Sequence, residues 1–505
     1  MRATVRAGVA AALVAGALPA CDARPPEPEI SWTADEWGRW RALTFEGVEG
    51  ARFSALAPSA TGLRGSTDIS EAERLANRTW THGTGVALGD VDGDGRVDVY
   101  LCLFDRPNAL YRNLGGWRFE DVTSTSGAGL EGVLSRGAVL ADADGDGDLD
   151  LFVTVHGAPN VLLVNDGAGH FERVAAGFEG AYGSSTLALA DLDADGDLDA
   201  YVANYKTIQG DDLFSPEERN LRGAIRQVGD RVEVVPPYDE HYRVERVGDR
   251  MRRFELADPD ELYRNDGSGR FQPVSFTEGA FLGADGVPLS EAPRVWGLVA
   301  RFFDADDDGD PDLYVANDFG SPDGFWLNDG GTLRAASALV LRTTSASSMG
   351  VDFTDLEGDG DTDFVTTEML ALDPVRRREQ VSSALAPRTP PGLAAMRAPA
   401  ARNALQRNRG DGTFAEVGRA AGIQASEWTW GAMFLDADLD GHEDLLVTNG
   451  HVWDPLDGDT QEALRTGRVR VDWREELGVF PPLDLANLAF RHRGDGTFEV
   501  APETW

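Results

Sequence analysis

The chain has 505 residues, 46 basic against 86 acidic side chains, a net charge of −40 and 42% hydrophobic residues. Such length and apolar content exclude a disordered acidic tail. The charge repels nucleic-acid phosphates, no Lys/Arg cluster is dense enough to offset it, and nucleic acid is excluded as a partner.

At the N-terminus, Arg2 and Arg6 precede an apolar run from Ala7 to Leu18 that is too short to span a bilayer, the pattern of an export signal over residues 1–20. Leu18-Pro19-Ala20-Cys21 resembles the bacterial lipoprotein cleavage box. In that reading Cys21 becomes the acylated first residue, the only link to a membrane, and residues 21–45, with Pro25, Pro26 and Pro28, form a tether and lead-in. The expected location is the bacterial cell envelope or cell surface. An ordinary signal cut near Ala20, giving a secreted protein, is the alternative. Two cysteines make no disulfide framework, and lipidation of Cys21 leaves Cys102 a free, buried thiol.

Residues 46–505 are organised by a repeat. The pattern D-x-[DE]-x-D-G-x-x-D starts at Asp90, Asp142, Asp191, Asp304, Asp355 and Asp436. Apolar residues alternate before each copy, as in Val86 and Leu88, and a β-rich run follows, as in Leu313-Tyr314-Val315, so each copy reads strand, acidic loop, strand. A second module trails each copy: Asn108 to Asn113, Asn160 to Asn165, Asp260 to Asn265, Asp323 to Asn328, Asn403 to Asn408 and Asn487 to His492. In five of the six a Gly-rich turn then leads to Phe119, Phe171, Phe271, Phe414 or Phe498, which reads as a hairpin. Four strands per repeat and uninterrupted spacings of 52, 49 and 51 residues predict an all-β fold, a β-propeller of four-stranded antiparallel blades with six repeats visible.

Insertions at about 205–259, 371–402 and 450–486 all fall between the second and third strands of a repeat. Strand direction alternates, so they emerge on the face opposite the acidic loops. The first is expected to hold a hairpin, His241 to Val247 with Met251 to Leu256 around Gly248-Asp249, and the others to be partly helical. The period places a seventh loop at about position 520, past Trp505, while Phe53 to Leu63 resembles the trailing strands Phe119 to Leu130 and Phe414 to Ile423. The expectation is a ring of six blades with a gap or strained closure, whose exposed edges invite a dimer or a partner that completes the propeller.

Asp at loop positions 1, 3, 5 and 9, with Gly at 6 for the turn and a backbone carbonyl at 7, is an all-oxygen cage of the kind Ca²⁺ takes at about 2.3–2.6 Å. The first three ligand sets are Asp90, Asp92, Asp94, Arg96 and Asp98; Asp142, Asp144, Asp146, Asp148 and Asp150; and Asp191, Asp193, Asp195, Asp197 and Asp199. The last three are Asp304, Asp306, Asp308, Asp310 and Asp312; Asp355, Glu357, Asp359, Asp361 and Asp363; and Asp436, Asp438, Asp440, His442 and Asp444. The fourth residue of each set serves through its carbonyl. No loop carries a thiolate, which argues against zinc or copper. An EF-hand needs Glu at position 12, where this chain has Leu101, Val153, Val202, Val315, Thr366 and Val447, so the reading is a β-type loop and up to six Ca²⁺. One copy alone reads equally as an Asx-rich turn without metal, but six copies each crowd four carboxylates and call for a cation. The fifth stands apart because Glu357 replaces Asp.

The loops, their apolar frame (Gly85-Val-Ala-Leu-Gly-Asp-Val-Asp-Gly-Asp-Gly95) and the Leu-Tyr-Arg-Asn modules resemble FG-GAP or VCBS repeats of the integrin α-chain propeller. With Asn449-Gly450-His451 after the sixth loop, the arrangement is most similar to bacterial relatives of the cartilage acidic protein 1 family. The resemblance covers about residues 45–505 and implies a seven-bladed propeller, calcium in the loops, and extracellular binding or adhesion without established catalysis. An ASPIC/UnbV domain, present in many relatives, has no room after the sixth repeat.

No G-x-S-x-G, H-E-x-x-H, G-x-G-x-x-G or P-loop motif occurs, and the seven histidines are scattered as packing or surface residues. Arg243, Arg246, Arg250, Arg252 and Arg253 crowd one predicted hairpin and Arg376 to Arg378 open the second insertion. They read as a seat for an acidic glycan or, more simply, as a solvated face offsetting neighbouring acids. Trp296, Trp326, Trp428, Trp430 and Trp453 read as blade packing. The function expected is non-enzymatic: a lipid-anchored calcium-binding propeller presenting a loop-rich face to an extracellular protein or glycan. An enzyme acting on polysaccharide or phospholipid, and a calcium-rigidified spacer, are the alternatives.

Overall fold

A computed structural model describes residues 33–35, 38–40 and 54–501, apart from 230, 248–249, 320 and 382–398. The export signal, Cys21, Phe53, Trp505 and the turn at Gly248-Asp249 fall outside the described residues. Two units divide the chain at Glu49/Gly50. In the first, Thr33–Asp35 pairs antiparallel with Gly38–Trp40.

In the second unit each acidic loop turns one strand back on the next. Blade one is Val86–Gly89, Asp98–Leu101, Ala109–Asn113 and Phe119–Asp121, paired in that order. The pattern recurs with first strands Ser135–Ala141, Ser184–Ala190, Gly297–Phe303, Gly350–Thr354 and Thr429–Leu435, giving the six four-stranded antiparallel blades that the repeat predicts. These first strands pack against one another from blade to blade and so surround the axis. Second strands such as Asp150–Val155, Asp199–Asn204 and Asp312–Asn317 are buried at every position, because neighbouring blades cover both faces of the sheet. Blade four gains an unanticipated fifth strand, Phe281–Leu282, parallel to Thr332–Ala335 and anchored by the stack of Phe281 on Phe276 at 4.2 Å.

The core lies between blades. Tyr100 and Leu110 of blade one meet Leu151 and Leu163 of blade two, and Phe152 and Leu162 meet Leu187 and Tyr263 of blade three. Tyr201 and Leu262 then pack on Leu313 and Trp326, Tyr314 and Phe325 on Phe364 and Phe414, and Val365 and Leu405 on Leu445 and Phe490. A polar latch accompanies this packing. The asparagine that ends the third strand donates its Nδ2–H to the second residue of the preceding acidic loop: Asn165 to Val91 O at 2.9 Å, Asn265 to Ala143 O at 2.8 Å, Asn328 to Leu192 O at 2.9 Å and Asn408 to Ala305 O at 3.1 Å.

Among the described residues no such core or latch joins blade six to blade one. Asn113 donates instead to Val97 O of its own loop, while Val86 and Leu88 on one flank and Met433 and Leu435 on the other are exposed. The flank between these two blades is therefore uncovered at these positions. The inserted segments leave the same connection in blades three, five and six, as predicted. The first holds the expected hairpin, Tyr242–Val247 with Arg250–Glu255, and a second that was not foreseen, Ile225–Val228 with Arg231–Val234. Short helices occupy the others, Pro374–Glu379 and Gly458–Arg465. No described helix is long and apolar enough to cross a membrane.

Candidate metal loops and an axial cavity

Each acidic loop is shaped by its own backbone. In the third, Asp191 accepts from Asp195 N–H at 3.1 Å and Gly196 N–H at 3.0 Å, and Asp195 accepts from Asp197 N–H at 3.1 Å. The position-9 carboxylate is buried and ties its own loop to the third strand: Asp150 accepts from Ala143 N–H at 2.9 Å and from Asn165 N–H at 2.8 Å. Burial pushes Asp150 up to about 6, and Asp312 and Asp363 up to about 7, with the backbone donors pulling the other way.

Carboxylate oxygens of positions 1, 3 and 5 converge within 4.8 Å in loops one to four: Asp90, Asp92 and Asp94; Asp142, Asp144 and Asp146; Asp191, Asp193 and Asp195; Asp304, Asp306 and Asp308. In loop six the converging set is Asp436, Asp438 and Asp444. Loop five is not among these groups: the longer Glu357 side chain turns to Arg407, 2.6 Å from its Nε. The donors are all oxygen, and Asp144 Oδ1 and Asp438 Oδ1 are buried without a hydrogen-bond partner, an arrangement that fits a hard cation. At position 7, Arg96 reaches back to Asp94 at 2.6 Å, and His442 lies 5.3 Å from His492. His492 stands where the other modules end in asparagine, and both its ring nitrogens lack a partner.

At the opposite end of the first strands the fold makes a second candidate site. In blades two, three, four and six the strand register slips at its start, between Ser135 and Ala138, Ser184 and Thr186, Gly297 and Val299, and Thr429 and Gly431. Bulges of this kind re-aim side chains. The residues within them, Arg136, Ser185, Leu298 and Trp430, line a cavity of about 310 Å³ on the axis. It opens on the face that carries the insertions.

Arg136 is 9% exposed and forms no ion pair with a described carboxylate. Its guanidinium donates to Thr79 O and, at 3.1 Å, to Gly83 O, and lies 4.3 Å over the Phe104 ring. Burial lowers it to about 9, which leaves it charged at neutral pH. His82 packs edge-on to Tyr205 at 4.6 Å and lies 5.5 Å from Trp430, and His451 stacks on Trp428 at 4.5 Å. Burial holds His82 well below its usual value and His156 at about 4, with Arg136 adding to both shifts, so neither adds charge at pH 7. Lys206 is neutralised by Glu255 at 3.1 Å.

The reading of the histidines as scattered is corrected here, since the ring brings His82, His156 and His451 together. Arg136 carried no motif, and only the bulge reveals it. On the first hairpin Arg243 binds Glu245 at 2.9 Å and Glu291 at 2.8 Å and Arg253 lies 4.4 Å over Tyr242, in keeping with the simpler reading of a face offset by neighbouring acids, while Arg246 and Arg252 are exposed. Arg376 likewise bridges Glu427 and Asp454. Trp296, Trp326, Trp428 and Trp453 are buried packing as expected, whereas Trp430 faces the cavity.

FG-GAP-like repeats are recognised at residues 90–153, 142–202 and 304–366. Cartilage acidic protein 1 of Xenopus tropicalis is 29% identical over 93 residues, a stretch covering 18% of this chain and 14% of that protein. Among solved structures, an Agrocybe aegerita lectin specific for non-reducing terminal N-acetylglucosamine aligns over 82% of this chain and 78% of its own, at 15% identity and a TM-score of 0.39. The V. cholerae biofilm matrix protein Bap1 aligns over 65% and 38%, at 16% and 0.31. A GH43_1 enzyme of Xanthomonas citri complexed with xylose aligns over 68% and 96%, at 13% and 0.30. Likenesses so distant say nothing about ligand or activity. This chain is therefore a β-propeller of six four-stranded blades that carries FG-GAP-like repeats.

Proposed function

We propose that the chain is an exported calcium-binding propeller, held to a membrane through a lipid on Cys21, that binds an extracellular protein or glycan on its insertion-bearing face. The observation that carries this reading is the division between faces: acidic loops at one end of the first strands, and three insertions around an axial cavity at the other. Calcium is supported by the all-oxygen donor set and by the unpartnered buried oxygens of Asp144 and Asp438. The uncovered flank between blades six and one is assigned to a second copy or a completing partner, and light scattering on the whole chain separates dimer from monomer.

Glycan and extracellular-protein arrays with and without Ca²⁺, beside turnover assays on the same panel, test the binding role. Calcium-dependent binding without turnover is expected. Turnover abolished by substituting an acid outside the loops would establish an enzyme, and neither binding nor turnover would leave a spacer. Labelling with a fatty-acid analogue, lost in Cys21→Ser, tests the anchor.

A further inference from the structure

The axial cavity holds a charge that no described carboxylate pairs with. A buried guanidinium is ordinarily paired, because taking it out of water without a counter-charge is costly. Among the described residues the Arg136 guanidinium meets two carbonyls and a ring face but no carboxylate, in a chain carrying forty more acidic than basic side chains. Its planar fork of five N–H donors suits a carboxylate held by two parallel bonds. Beside it, His82 and Trp430 form an aromatic wall of the kind on which the C–H face of a sugar ring packs. About 310 Å³ is near the lower end of small-molecule pockets and has room for one monosaccharide rather than a chain.

We infer that the axial cavity binds a single carboxylated sugar unit, a uronic acid residue, with its carboxylate against Arg136 and its ring against His82 and Trp430. The inference rests on the proposed extracellular binding role and names the ligand class for that face. The bulge between Ser135 and Ala138 turns Arg136 toward the axis, and the Gly83 and Thr79 carbonyls fix the guanidinium before a ligand arrives. The histidines stay neutral at pH 7, so selection for an acid falls to Arg136.

Isothermal titration of the calcium-supplemented full chain with glucuronate, galacturonate, glucose, acetate and inorganic phosphate tests it. Saturable binding of a uronate at least about tenfold tighter than of glucose, acetate or phosphate is expected. Arg136→Gln should lose that preference by at least about tenfold while leaving calcium stoichiometry unchanged. Thr84 is an exposed cavity residue, so Thr84→Glu keeps the test open if Arg136→Gln does not fold: a carboxylate at the rim should compete for the guanidinium and weaken uronate binding. No saturable uronate binding, equal affinity for acetate or phosphate, or wild-type uronate affinity in a folded Arg136→Gln or in Thr84→Glu overturns the inference. Array capture indifferent to both substitutions would overturn the cavity assignment and keep the binding role, whereas uronate binding with no array capture would do the reverse.

Discussion

Asp260 immediately precedes the third strand of blade three, Glu261–Asn265, and is 2% exposed. Asn204 N–H and Tyr201 O–H donate to its two oxygens, each at 2.8 Å, yet burial pushes its carboxyl up to about 7. The folded chain therefore holds a proton that the unfolded chain releases above about pH 4, so the contribution of Asp260 is full below that value and falls as pH rises toward 7. Asn108, Asn160 and Asn403 fill the same place in other blades, and Asn108 Nδ2–H donates to Tyr100 O–H at 2.7 Å. Asp260→Asn should match wild type near pH 4 and be more stable at pH 8, by on the order of 2 kcal/mol, in melts run across that range. A pH-independent difference would refute the assignment. His492 is the complementary case. An asparagine there can reach the Leu356 carbonyl, as Asn408 reaches Ala305, and His492→Asn should raise Tm through about 1 kcal/mol of regained hydrogen bonding.

At the scale of the element, the acidic loop and the turn after the outer strand each make a testable demand. Asp144 Oδ1 is buried and unpartnered, whereas Glu357 is tied to Arg407. Metal analysis of Asp144→Asn should find one calcium fewer than wild type, and Glu357→Gln should leave the count unchanged. An equal loss in both would mean that loop five binds as the others do. The turn closing blade one places Gly127 at φ 79°, where an added Cβ would stand 2.4 Å from Phe171 O of the next blade. Gly132 has a similar φ of 74° with nothing within 4 Å. Gly127→Ala should cost about 3 kcal/mol or more in denaturant melts and Gly132→Ala about 1 kcal/mol, the difference being the clash rather than the dihedral.

For the whole molecule, loop and ring are one mechanical system. The second residue of a loop both donates to the position-9 carboxylate and offers its carbonyl to the next blade, as Ala143 does for Asp150 and Asn265. An ion that fixes a loop therefore fixes an inter-blade contact, and its binding free energy adds to folding. Chelation at low salt should lower Tm of the full chain, and returning calcium should restore it more effectively than magnesium, whose stricter octahedron the loops suit less well. A Tm indifferent to chelation, with no bound metal, would remove calcium from the account.

The acidic loop, its 49-to-52-residue period and the strands flanking it are local patterns, so the blade count, the positions of the acidic loops and the connection that each insertion leaves were legible in the residues themselves. The hairpin at 242–255 was legible for the same reason, since its alternation surrounds a turn. Phe281–Leu282 was not, because two residues carry no period and are held by Phe276 and the outer strand of blade four. The Asn latches reach from one blade to the next, over 74 residues for Asn165 and 122 for Asn265, and a motif that ends in asparagine does not name its acceptor. The axial cavity is the clearest case. Arg136, His82, Tyr205 and Trp430 lie on different segments and meet only when the blades circle a common axis, and the bulges that aim them are register slips between paired strands, a property no single strand possesses.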